Sequence, residues 1–262
     1  MRTAAGISID AAARDFGISV SKLSRIEGAR QGVDQHLVKS MLDLYDVGGD
    51  RWTETLELVA AARKRPWWTP YRLGGDFGYV QLETDAEQVQ VYMPSMVPGL
   101  LQTRAYARAM FVSSSIDWSP ATTEAQLEVR MIRQRRLTDT ERPLQLMTVI
   151  GESALRNPVG DPDVMHEQLA HVAEVAELPT VTMQVLPAHP GPHGSLASGF
   201  VVLSFGELGE PDMVYVEHSL GAVHLEREQE VLQARNKYNE LRTLALSPAD
   251  SLALLREIAA TT

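Results

Sequence analysis

The stretch RPWWTPYRLGGDFG, residues 65–78, holds two prolines and three glycines. Proline removes a backbone donor and fixes φ, and clustered glycine leaves the chain without a preferred conformation, so neither a helix nor a central strand can run through it. It divides the chain into two parts with different patterning. We expect a domain over residues 1–65, a linker over 66–76 and a second domain over 77–262. The aromatics Trp67, Trp68 and Tyr71 give the linker material for docking.

Before the break every pattern is helical. SIDAAARDF, residues 8–16, begins with the N-cap candidate Ser8 and places Ala12, Ala13 and Phe16 on one stripe. Gly17 supplies a left-handed turn after it. Residues 19–27 form a second short helix with Leu23 and Ile26 inward. HLVKSMLDLYDV repeats the spacing at Leu37, Met41, Leu44 and Tyr45, and RWTETLELVAAARKR is a further helix with its basic residues at the C-terminal end.

Beyond the break the patterns mix. Residues 78–90 read as a helix, and VYMPSMVPGLL as extended chain broken by Pro94 and Pro98. Helices are expected over 102–111, 120–138, 163–177, 227–245 and 248–260. LQLMTVI, TVTMQVL, GFVVLSF, MVYVE and AVHLE are strands by their β-branched and aromatic content. Clustered strands flanked by helices give an α+β class with a mostly antiparallel sheet of four to six strands.

Charge separates the two parts as well. Residues 1–66 carry 10 Lys+Arg against 9 Asp+Glu, and the remainder carries 14 against 25. Phosphate contacts need local positive charge, so only the first part suits a duplex, and the acidic remainder suits a small molecule, a peptide or a protein. The absence of cysteine excludes disulfides and thiolate metal sites and fits a cytosolic address. Residues 1–20 lack the basic start and apolar block of a signal peptide, and no apolar run is long enough for a bilayer.

AAGISIDAAARDFGISVSKLSRIEGARQGV resembles the helix-turn-helix of Xre-type (lambda-repressor-like) regulators, and MLDLYDV resembles a later helix of their actinobacterial members. WW at 67–68, VPGLLQTRAYARAM at 97–110, ALRNPVG at 154–160, MHEQLAHVAEVAELPTVTMQVLP at 165–187 and LALSPADS at 244–251 resemble the C-terminal domain of unknown function attached to that group. The resemblance implies a transcriptional regulator, tied to development or specialised metabolism and often encoded beside small partner proteins. Two departures stand out. We expect the first helix of that fold to be missing or truncated, or the true start to lie upstream, and Ile9 and Val20 stand where the family carries Gln, one to brace a phosphate and one to read a base edge.

Ser21, Lys22, Ser24 and Arg25 are the candidate DNA contacts, with Arg30 near the phosphates. A solvated face on a vestigial domain is the competing reading. A dimer on a pseudo-palindromic duplex is expected if DNA is bound. In the second domain Trp68, Tyr92, Gln102, Glu152, His193, Phe200 and Tyr215 are the candidate ligand-binding residues. They are expected around one cavity where residues 92–106 meet 199–217, rimmed by 188–197. Gln102 and Thr103 open a helix, where an anion or an ordinary cap would sit. Glu217 is a further pocket carboxylate candidate.

HPGPHGS places His189 and His193 in a loop with no third ligand at a useful spacing, so no metal and no cofactor is expected. Ser195 lacks a nucleophile elbow, so a hydrolase reading has little support. The expected function is a DNA-binding regulator whose C-terminal domain senses a ligand or a small partner protein. The alternative is a regulator-derived protein that has left DNA and acts as a binding module or pathway enzyme.

Overall fold

The computed structural model describes residues 1–28, 31–63, 66–71, 78–114, 118–188, 198–206, 211–218 and 221–261. The chain forms two compact units, Met1–Trp67 and Trp68–Thr262.

The first unit is helical: α1 (Ile9–Asp15), α2 (Val20–Glu27), α3 (Gln35–Leu44) and α4 (Asp50–Arg63). Local chemistry sets the starts. The Ser8 hydroxyl accepts from the Ala11 amide, Ser19 from Lys22, and one Asp34 oxygen from both His36 and Leu37. Each cap satisfies donors that the first helical turn leaves unpaired. Between α1 and α2, Gly17 has φ +64°, a conformation that costs a side-chain-bearing residue energy and glycine little. Ala12, Ala13, Leu23 and Tyr45 are buried together, with Ile7, Ile9, Phe16 and Ile18 packed around them. Residues 1–7 form hydrogen-bonded turns, with Ala5 and Ile7 amides donating to Met1 and Arg2 carbonyls.

The second unit is α+β. It contains α5 (Gly78–Asp85), β1 (Gln88–Met93), α6 (Arg104–Ser113), α7 (Pro120–Gln134), β2 (Gln145–Gly151), α8 (Glu152–Arg156), α9 (Pro162–Val175), β3 (Val181–Leu186), β4 (Phe200–Ser204), β5 (Met213–His218), β6 (Gly221–Leu225), α10 (Glu228–Leu244) and α11 (Pro248–Thr261). The strands form one sheet in the order β3-β2-β1-β4-β5-β6.

The sheet is mixed rather than mostly antiparallel. β1 pairs with β2 and β2 with β3 in parallel, whereas β1–β4, β4–β5 and β5–β6 are antiparallel. A parallel neighbour requires a long crossover, and α6 with α7, then α8 with α9, supply the two crossovers. The helix expected over 78–90 ends at Asp85, and β1 takes the rest of that segment.

Alternation along the strands separates two faces. Val89, Val91, Leu146, Ile150, Val201 and Leu203 enter the larger core with Leu101, Tyr106, Leu169 and Leu255 from loops and helices. On the other face Tyr92 and Val149 meet Tyr238 and Leu241 of α10, and Val202 and Val214 meet Val231. Arg235 of α10 also pairs with Asp212 and donates to Ser204 Oγ at 2.7 Å. Gly151 ends β2 where a Cβ would fall 2.2 Å from the Pro94 carbonyl oxygen, so the two strand ends meet only because no side chain stands between them.

Candidate functional site

The segment Val97–Thr103 leaves β1 and is tied down by side chains. Gln134 Nε2 donates to the Gly99 and Gln102 carbonyls at 3.0 and 2.7 Å. Gln168 Nε2 donates to the Leu101 carbonyl at 2.6 Å and its oxygen accepts the Thr103 amide at 2.8 Å. Gln102 Nε2 reaches back to the Val97 carbonyl at 2.7 Å. A loop buried away from water needs every backbone group paired, and three glutamines perform that task here. The start of α6 is an ordinary cap, with Thr103 Oγ1 accepting from the Tyr106 amide.

This fixed loop forms one wall of a cavity of about 390 Å³. Val89, Val91, Leu146 and Val201 give it an apolar sheet floor, and Tyr79, Phe111, Trp118 and Tyr215 give it aromatic sides. Two guanidinium groups enter from α7. Arg133 Nε and Nη2 donate to the two oxygens of Glu83 at 2.6 and 2.7 Å, and both side chains are buried. Arg133 also lies 5.2 Å from the centre of the Tyr79 ring, which meets the Tyr215 ring at 4.6 Å with the planes tilted by 44°. Burial and the nearby Glu83 carboxylate push the Tyr79 phenol well above its ordinary value, so it stays protonated.

Arg130 is treated differently. Its Nη1 donates to Gln102 Oε1, a neutral acceptor, and its guanidinium carbon lies 4.8 Å over the Phe111 ring. Its Nε is shielded and has no hydrogen-bond acceptor among the described residues. Burial, then repulsion from Arg133, lowers its pKa to about 10, so it remains a cation at neutral pH. Glu217 lines the same cavity from β5 and opposes that shift through space.

The residues singled out from sequence distribute as follows. Gln102 and Tyr215 line the cavity, as does Glu217. Tyr92 and Phe200 lie on the opposite sheet face, 6.0 Å apart and packed with Tyr238. Strand alternation puts them there, since Val91 and Val201 face the cavity. Glu152 pairs with Arg156 at 2.7 Å and accepts the Ala188 amide at 2.9 Å, away from the cavity lining. Trp68 is half-buried at the start of a short turn, its carbonyl accepting from Tyr71. His189, His193 and Ser195 lie outside the described residues, as does Arg30.

Arg130, Arg133 and Glu83 escaped the sequence reading. A signal existed: Leu127, Arg130, Met131 and Gln134 share one stripe of α7, so a cation and an amide interrupt the face that should be apolar. Among the described residues no group of His, Asp and Glu is arranged to hold a metal ion, and no helix is long and apolar enough to cross a membrane.

In the first unit, α2 presents Ser21, Ser24 and Arg25 to solvent, with Lys22 half-buried. Arg25 donates to Ser21 Oγ at 3.1 Å and to Gln31 Oε1 at 3.0 Å, which holds it on the exposed face. Val20 is 39% exposed at the start of the helix. Ile9 packs into the small core.

A sequence model described as a helix-turn-helix domain matches residues 1–54. A second, described as a domain of unknown function (DUF5753), matches residues 78–257. The chain belongs to the DUF5753 family. The DUF5753 match spans all six strands and the whole cavity lining, and the helix-turn-helix match indicates a DNA-binding regulator. No curated protein and no solved structure matches the chain.

Proposed function

We propose that this DUF5753 protein is an Xre-type transcriptional regulator that contacts DNA through α2 and senses a small molecule in the Arg130 cavity. The observation that carries the sensing half is the cavity itself: concave, largely apolar, and fitted with a shielded cation that has no carboxylate hydrogen-bond partner among the described residues. Such concave sites with few placed polar groups are the usual form of small-molecule sites, which favours a small molecule over a partner protein. The DNA half is supported by the capped turn at Gly17 and Ser19 and by the exposed Ser21, Ser24 and Arg25. One short helix reads few bases, so a homodimer on a pseudo-palindrome is part of the proposal.

The second reading, a regulator-derived binding module, is favoured by one observation. Val20 offers the duplex only a methyl surface where a hydrogen-bonding reader would stand. Selection of the purified chain against a random duplex library separates the two. An enriched pseudo-palindromic motif, lost in Arg25→Ala, supports the regulator. Absence of enrichment at low salt removes DNA from the function.

A further inference from the structure

We propose that the ligand of this cavity is an organic anion, a carboxylate on an apolar body, anchored by the guanidinium of Arg130. The proposal rests on the reading of the cavity as a ligand site and adds its chemistry.

Glu83 and Glu217 are the two carboxylates of the cavity lining. Both oxygens of Glu83 are taken by Arg133, and Glu217 stands exposed on β5 without an ion pair to Arg130 among the described residues. Arg130 therefore keeps a full charge whose only direct oxygen partner among the described residues is the Gln102 amide. A planar guanidinium with free donors matches a carboxylate held by two parallel hydrogen bonds. Phe111 covers one of its faces, which fixes the plane of the fork. A neutral carbonyl would offer one acceptor oxygen and leave the cation uncompensated, and a cationic ligand would meet like charge. The rest of the lining, Val89, Val91, Leu146 and Val201 with Trp118 and Tyr215, is suited to a hydrocarbon or aromatic body and to nothing strongly hydrated. The volume of about 390 Å³ limits that body to a small metabolite.

The test is calorimetric titration of the full chain with three matched pairs: 3-phenylpropanoate, indole-3-acetate and octanoate, each against its primary amide, with the corresponding amines as a third charge state. At least one acid is expected to bind ten times or more tighter than its amide. That preference should fall below twofold in Arg130→Met and be partly kept in Arg130→Lys. Near-UV circular dichroism verifies that both variants are folded. Glu217→Gln, which removes a negative charge from the lining, should tighten acid binding severalfold. Equal binding of acid and amide by the wild-type chain, or a preference that survives Arg130→Met, overturns the anion assignment and leaves the ligand site standing. If no acid, amide or amine binds, both the assignment and the sensing reading fall.

Discussion

The two oxygens of Glu83 both accept from Arg133, at 2.6 and 2.7 Å, so Arg130, three residues earlier on the same helix, makes no hydrogen bond to that carboxylate and feels it only through space. One guanidinium of α7 is structural and the other is available, and the two respond differently to substitution.

Glu83→Gln should be strongly destabilising. It strands Arg133 as an uncompensated buried cation, and breaking a buried pair from one side costs about 3 kcal/mol or more. Urea unfolding followed by tyrosine and tryptophan fluorescence reads this directly. The double variant Glu83→Gln, Arg133→Met should recover most of the loss. A double variant no more stable than the single one would show that the pair itself, rather than the stranded charge, carries the stability.

Gly99→Ala isolates the cavity from the fold. A Cβ there meets nothing closer than Arg130 Nε at 3.8 Å, so the backbone accepts it. The unfolding midpoint should change by about 0.5 kcal/mol or less. The methyl group occupies the approach to Nε, and acid binding should weaken at least fivefold in the same titration. Unchanged affinity would place the anion elsewhere.

Tyr238 predicts the alkaline limit of the larger unit. Burial raises its phenol above the ordinary value near 10. The folded state therefore keeps this proton where the unfolded chain loses it. A group raised on folding gives stability that is complete below the unfolded pKa and is lost as pH rises beyond it. Stability should decline above pH 10 as Tyr238 and the buried Tyr79 and Tyr106, raised in the same direction, are drawn toward ionisation in the unfolded chain. Tyr238→Phe should make that decline shallower, measured by urea midpoints at pH 8, 9, 10 and 11. An identical slope in the variant would assign the decline to other groups.

In the first unit, Leu23→Ala and Arg25→Ala should fail in different ways. Leu23 of α2 is fully buried with Ala12 and Ala13 of α1 and with Tyr45, and truncating such a leucine costs about 2–5 kcal/mol, enough to melt a small helical unit. Arg25 is exposed, so its loss should leave the melting curve in place and weaken duplex binding, with a shallower salt dependence. Comparable loss of helicity in both variants, read by far-UV circular dichroism, would count against a surface role for Arg25.

Local order was legible wherever side-chain chemistry acts at short range. Ser8, Gly17 and Ser19 mark helix boundaries that depend on their own backbone neighbours, and the strands from β2 to β6 announce themselves by β-branched runs. The first strand was legible only from Val91 on, as extended chain. QVQVYM follows an eight-residue helix after only Ala86 and Glu87, and Val89 with Val91 continues a spacing that fits either period. The parallel pairing was hidden because it joins Val91 to Thr148 across two helices, and no local signal encodes such a partner. Tyr92 and Phe200 were grouped with the cavity for being aromatic, when the two-residue period of their strands sends them to α10. Arg130 was invisible for the opposite reason. A cation on a helix is ordinarily a solvated residue, and only the tertiary packing of Phe111 and Gln102 encloses it.

The order of the strands also governs when each part of the molecule can come into being during synthesis. Val91 stands mid-sheet with Thr148 on one side and Val201 on the other, so the central strand waits for residues made much later. Pairings of such long range slow folding, while helices joined by short turns close quickly. A ribosome paused between β3 and β4 therefore carries Arg130 on a helix whose sheet floor still lacks Val201. The helix-turn-helix unit can close once Leu56 has emerged, but the chamber for Arg130 exists only after Tyr215 and Glu217 have followed.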